Sequence, residues 1–161
     1  MHTHLSSLAR ACGALLLGVA FAISVTAATR AASAAAPLPD RLLGAWMTQD
    51  GHGVIAIERC GEALCGRIVG ILRAPGEPLP TDVHGASQCG LTIISKERPA
   101  TDGTWLGEVT DPRTGTTYGA QLWLDGAGNL RLRGFLGIPL LGRTQTWRPF
   151  AGQVTPACEL R

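Results

Sequence analysis

Reactive side chains are scarce in this chain. It holds 4 histidines, and two of them, His2 and His4, fall in the first turn of sequence, leaving His52 and His84. Lys96 is its single lysine. No His-x-x-x-His pair, Gly-x-Ser-x-Gly turn or phosphate-binding glycine loop occurs, so the signatures of zinc hydrolases, serine esterases and nucleotide-binding enzymes are missing. Helical periodicity is missing too: from Pro37 to the C-terminus no window of about eleven residues carries it. Neither a catalytic residue nor a cofactor or metal site is expected.

An excess of charge is also lacking, once the N-terminus is read correctly. Met1–Arg10 is short and mildly basic, and Ala11–Ala28 then runs without a charge. Small-residue cleavage sites follow, up to Ala36. That is the layout of a secretory signal peptide, Met1–Ala36, cut somewhere between positions 27 and 36. The rival, an uncleaved anchor, fits less well because the apolar run is Ala/Gly-rich and only about eighteen residues long. A lipid anchor at Cys12 is disfavoured by Arg10 beside it. Removing Arg10 and Arg30 reduces the 14 basic residues to twelve, against 12 acidic ones. A neutral domain has no electrostatic pull toward nucleic acid or anionic membrane. It also has no integral membrane segment once the signal is gone, and it belongs in the periplasm or outside the cell.

The 5 cysteines become four on processing: Cys60, Cys65, Cys89 and Cys158. An even count in an exported domain argues for disulfides, with three connectivities open. Cys60 and Cys65 flank a hairpin turn and are favoured as one bridge. Cys89–Cys158 is then the other, tying the tail (151–161) to a long loop. A zinc site is the rival, but the spacing fits zinc motifs poorly.

What is present in the remaining domain, 37–150, is rhythm. Glycine and Asp-Gly or Asn signals recur about every ten residues between short alternating runs, the pattern of an all-β meander. Strands are expected near Leu43–Thr48, Gly53–Cys60, Cys65–Arg73, Leu91–Glu97, Trp105–Thr110, Thr116–Asp125, Leu130–Gly137 and Arg143–Phe150. Between Thr116 and Gly137 the alternation sets a register, Leu122 opposite Leu132 and Trp123 opposite Arg131, with the leucines inward. An up-and-down antiparallel barrel of about eight strands removes both sheet edges and encloses either its own side chains or one small ligand. Ala74–Gly90 interrupts the rhythm as a long loop, pinned by Cys89.

The remaining candidates have modest readings. Glu58 shares a strand face with Val54 and Ala56 that points inward unless a bulge intervenes. Its candidate partner across the hairpin is Arg67, and an ion pair at the barrel mouth is favoured over a general acid. Asp82 and His84 are spaced for an acid–base pair or a metal site, although loop neighbours of this kind are commonly just solvated. His52 lies in a turn. Gly137–Gly142 holds four apolar residues between glycines, either a plug or an exposed patch.

A set of motifs then falls in order: Gly44-Ala45-Trp46, Glu58-Arg59-Cys60-Gly61, Leu64-Cys65-Gly66-Arg67, Cys89-Gly90-Leu91, Asp111-Pro112-x-x-Gly115-x-x-Tyr118, Arg133-Gly134-Phe135 and Leu141-Gly142-Arg143-x-x-x-Trp147. From Leu43 to Arg148 this resembles a bacterial family of small exported proteins, domain of unknown function 2147. The resemblance implies a calycin-type, lipocalin-like barrel and no established reaction. The chain departs from that family in the long loop, where Asp82-Val83-His84-Gly85 stands for a longer Asp-x-x-Asn-Pro stretch. In lipocalins the Gly-x-Trp tryptophan plugs the closed end beneath a last-strand arginine. By that resemblance Trp46 is a structural plug, with Arg143 or Arg148 over it.

The expectation is therefore an exported, non-enzymatic barrel binding a small apolar ligand, lined by Trp105, Tyr118, Leu122 and Leu132. The alternative is a filled barrel that meets an envelope protein partner through its loops. An enzyme using Glu58, Asp82 or His84 ranks third.

Overall fold

The computed structural model describes residues 40–160. The expected signal peptide and the linker up to Pro39 lie outside the described residues. Eight strands, β1 (Gly44–Met47), β2 (Gly53–Cys60), β3 (Ala63–Ile71), β4 (Thr92–Pro99), β5 (Trp105–Thr110), β6 (Thr117–Leu124), β7 (Leu130–Phe135) and β8 (Arg143–Pro149), pair each with the next. The closed barrel is completed where β8 meets β1, through Trp46 opposite Pro149 and Met47 opposite Arg148. Two three-residue 3-10 turns, Asp40–Leu42 and Pro139–Leu141, are the helical elements among the described residues.

The alternation of the sequence becomes the wall of the barrel. Leu122 stands opposite Leu132, and Trp123 opposite Arg131, the register expected from the leucine pattern. Leu122 and Leu132 turn inward and join Trp46, Ile57, Leu64, Ile94, Trp105 and Leu130 in one buried cluster. β3 starts at Ala63, two residues before the expected Cys65, because the β2–β3 connection is a tight turn with Gly61 at φ 65°. A left-handed glycine there lets the strands pair right up to Cys60 opposite Ala63.

Irregularities in the ladders redirect side chains, one of them at Ile93, left over between Gly66 opposite Ile94 and Arg67 opposite Thr92. In β3 the register slips between the partners of Val54 and Ile55, leaving Val69 unpaired. In β4 it slips between Ser95 and Arg98, and Lys96 takes φ 61°. One extra residue in a strand reverses the facing of everything beyond it.

Both disulfides form, Cys60–Cys65 and Cys89–Cys158, each with Cα atoms 5.9 Å apart. All four cysteines are consumed, so the rival zinc site is not assembled. The tail, expected to be held by Cys158, has further attachments. Ile71 N–H donates to the Cys158 carbonyl at 2.7 Å, and Arg73 pairs with Glu159 at 2.9 Å. Val154 and Leu160 lie over Gly70, where an added Cβ would come within 2.4 Å of Leu160. Val54, opposite Gly70, is fully buried on that outer face.

Candidate functional site

The connections β1–β2, β3–β4, β5–β6 and β7–β8 lie at one end of the barrel, and the tight turns β2–β3, β4–β5 and β6–β7 at the other. A cavity of about 930 Å³ opens at the first end. Its walls are Ile55, Ile68, Ile71, Ile93, Val109, Leu132 and Trp147, one or two from each of six strands. The floor is the buried cluster of the closed half, where wider side chains such as Trp46, Trp105 and Leu122 meet. The volume falls within the range of sites that enclose most of a small organic molecule.

Polar groups occupy one stave and the rim. On β8, alternate residues Arg143, Gln145 and Trp147 line the cavity from mouth to floor. The Trp147 indole N–H donates to Gln145 Oε1 at 2.8 Å, which fixes the amide. Gly134, opposite Arg143, contributes no side chain, and this keeps the cavity wide at that level. Tyr118 lines the cavity from β6, two strands away from β8, beside Gly134.

At the rim, Asp50 accepts from the Thr48 hydroxyl at 2.7 Å and from the His52 backbone N–H at 3.1 Å. The Thr48 hydroxyl, more than any other group, holds the Asp50 carboxyl below the usual range. Asp111 accepts from Arg113 Nε and Nη2, both at 3.2 Å, and this ion pair depresses its pKa. The β3–β4 loop leans on this connection through Val83 N–H, which donates to the Pro112 carbonyl at 2.9 Å.

The expected lining residues divide by depth. Tyr118 and Leu132 face the cavity. Trp105 and Leu122 point inward as their strand positions require, but they lie opposite each other in the packed closed half, 3% and 0% exposed. Alternation sets facing and says nothing of height along the barrel.

The expected arginine cover for Trp46 is not found. Trp46 is buried at the closed end, and its indole N–H donates to the Leu42 carbonyl at 3.0 Å. Arg143 sits at the other end of β8, six positions from Pro149, the residue facing Trp46. Six residues of strand span about 20 Å, well beyond an arginine's reach. Arg148 follows inward-facing Trp147, and alternation therefore directs it outward, where it is exposed.

Glu58 is likewise redirected. It does share a face with Val54 and Ala56, but Ile55 and Ile57 are the inward pair, so that face is the outer one. Glu58 pairs there with Arg67, both side chains 43% exposed. Asp82 accepts from the backbone N–H groups of His84 and Ala86, at 2.9 and 2.8 Å, and so shapes its own loop. His84 is exposed, and neither residue lines the cavity.

One buried group escaped the sequence reading. Glu97 is 0% exposed, and neither carboxylate oxygen has a partner among the described residues. Strict alternation from inward Ile94 would send Glu97 out. The bulge at Lys96 turns it in, opposite Leu64. Gly107 makes the room, since a Cβ there would lie 2.7 Å from Glu97 Cδ. Desolvation, with no compensating hydrogen bond, pushes its pKa up to about 9, so the folded protein keeps it neutral. The Lys96-Glu97-Arg98 run looks like an ordinary solvated strand end. Only the left-handed Lys96 reveals otherwise.

Fold and site together define a class: closed, up-and-down, lipocalin-like barrels with an apolar cavity entered from one end. The chain belongs to the family described as "Uncharacterized protein conserved in bacteria (DUF2147)", which it matches over residues 44–148. Among solved structures it is similar to protein HP1028 from Helicobacter pylori, described as belonging to the lipocalin family. The match has a TM-score of 0.58 and 15% identity, and covers 68% of this chain and 83% of that one. No curated protein matches the sequence.

Proposed function

We propose that this is an exported binding protein, not an enzyme, which holds a small, largely apolar molecule inside its barrel. The observation that carries this reading is the cavity of about 930 Å³ with isoleucine, valine, leucine and tryptophan walls. A barrel acting only through its outer loops has no need of that volume. Apolar walls lose little by facing a hydrophobic guest and would otherwise face trapped water. Gln145, Tyr118 and Arg143 supply a few polar handles to orient the guest. Two disulfides favour an oxidising compartment, the periplasm or the exterior. Among the described residues no helix is long and apolar enough to cross a membrane.

Gly134 provides the test. A Cβ there would meet its nearest neighbour, Val109, at 3.6 Å, an ordinary contact, so Gly134→Phe fills the cavity without straining the wall. Titration of the wild type with the apolar fluorophore phenylnaphthylamine should show saturable binding, and Gly134→Phe should weaken it by about tenfold or more while the protein stays folded. Native mass spectrometry of protein recovered from its own periplasm should show a retained small molecule. Absence of saturable binding in the wild type, with no retained molecule, overturns the reading.

A further inference from the structure

The two ends of the barrel differ sharply in what they present to solvent. At the closed end the turns are Gly61-Glu62, Thr101-Asp102-Gly103 and Asp125-Gly126-Ala127-Gly128-Asn129. At the open end the β7–β8 loop exposes Leu136 (66%), Ile138 (54%), Leu140 (79%) and Leu141 (76%). Leu72 and Val83, on the β3–β4 connection, are exposed as well. Elsewhere among the described residues just two large apolar side chains, Leu106 and Val154, are comparably open. Gly137–Gly142 is thus an exposed patch and not a plug.

The patch is continuous with the cavity, because Leu72, Leu136 and Leu141 also line its mouth. It is carried on a 3-10 turn, Pro139–Leu141, with none of that turn's residues buried. Directly behind it stands Arg143. The acids of the mouth are already engaged, Asp50 by Thr48 and His52 and Asp111 by Arg113. The Arg143 side chain has no ion-pair or hydrogen-bond partner among the described residues. The mouth therefore offers an exposed apolar tip backed by an uncompensated cation.

We infer that the open end docks on a lipid bilayer surface. The β7–β8 loop enters the acyl boundary and Arg143 lies at the depth of the headgroup phosphates. Leucine and isoleucine side chains gain by leaving water at that boundary, and an arginine stem can follow them while its head stays polar. The attraction comes from the loop and not from net charge, in keeping with a neutral domain. The cavity gives the docking a purpose. A molecule that suits walls of isoleucine and valine partitions into the bilayer, and a mouth seated there lets it pass without crossing water. That purpose rests on the proposed ligand reading, whereas the docking itself rests on the loop.

The experiment uses the protein as the expressing cell exports and processes it, floated with vesicles of phosphatidylethanolamine containing phosphatidylglycerol as the minor lipid. The wild type should float with the vesicles. Leu140→Glu/Leu141→Glu should reduce the bound fraction by about tenfold or more. Leu106→Glu, which alters an exposed leucine on the barrel wall, should leave it unchanged. Wild type remaining in the soluble fraction overturns the inference, as does equal loss in Leu106→Glu. A wild-type dimer by light scattering that the double variant splits assigns the patch to a second copy instead and likewise overturns it. Phenylnaphthylamine binding, read without vesicles, separates the two proposals: binding without flotation sinks the docking alone, and flotation without binding sinks the ligand reading alone.

Discussion

Glu97 makes stability depend on pH in an unusual direction. Its carboxyl titrates at 4.5 in an unperturbed chain and at about 9 in the folded barrel. Between those values the unfolded chain has lost a proton that the folded protein retains. Glu97's contribution to stability is therefore greatest at and below 4.5 and falls as pH rises, by about 1.4 kcal/mol per unit, until the folded carboxyl itself ionises. At pH 7 the accumulated loss is roughly 3 kcal/mol, a large fraction of what a domain of this size possesses. Glu97→Gln keeps the shape and removes the proton exchange, leaving a constant offset from its own unpaired amide. Urea denaturation followed by tryptophan fluorescence, at intervals from pH 4.5 to 8.5, reads both proteins. His52, His84 and the other carboxylates are common to both chains and cancel in the difference. The variant should gain on the wild type steadily with pH, by roughly 3 kcal/mol between pH 4.5 and 7. Parallel curves would refute the reasoning, because they would mean that Glu97 is ionised and compensated inside the barrel.

Three further outcomes follow from the packing and the rim. Gly107→Ala places a Cβ 2.6 Å from the Ser95 carbonyl oxygen and 2.7 Å from Glu97 Cδ; thermal denaturation should show a loss of about 2 kcal/mol or more. Replacing Cys89 and Cys158 together by serine removes a bridge across 69 residues and should cost up to about 4 kcal/mol in urea. It should also raise hydrogen exchange at Ile71 N–H, which donates to the Cys158 carbonyl. Asp111 has a depressed pKa, so the stability from its pairing with Arg113 is present above the unfolded value of 3.8 and lost as pH falls through the folded value. Acid titration of Arg113→Ala should therefore show a shallower loss below that point than the wild type.

Where the chain alternates without interruption, its sequence was enough. The leucines of β6 and β7 dictate which residues face each other, because only one register buries Leu122 against Leu132. The cysteine pairs followed from a hairpin and an even count. What stayed hidden were features that alternation cannot encode. A single left-handed residue, Lys96, reverses the end of β4 and buries Glu97. Glu58 faces outward because Val54 is buried by the tail and not by the core, and a buried valine looks the same in sequence either way. Depth misled the assignment of Trp105 and Leu122, both inward and both below the cavity. Arg143 was carried to the wrong end by resemblance, when its place as the first residue of β8 puts it at the mouth.

The seam between β1 and β8 has a consequence for how the chain reaches this state. Seven of the eight ladders join neighbours in sequence, while the last joins the two ends of the barrel through the pairs Trp46–Pro149 and Met47–Arg148, with the Phe150 N–H donating to the Ala45 carbonyl beside them. Hairpins form over short loops at little entropic cost, whereas the seam must gather nearly the whole chain for two residue pairs. Closure at this junction should therefore limit folding, and substitutions at Met47 or Pro149 should slow refolding, followed by tryptophan fluorescence, out of proportion to the contacts they remove.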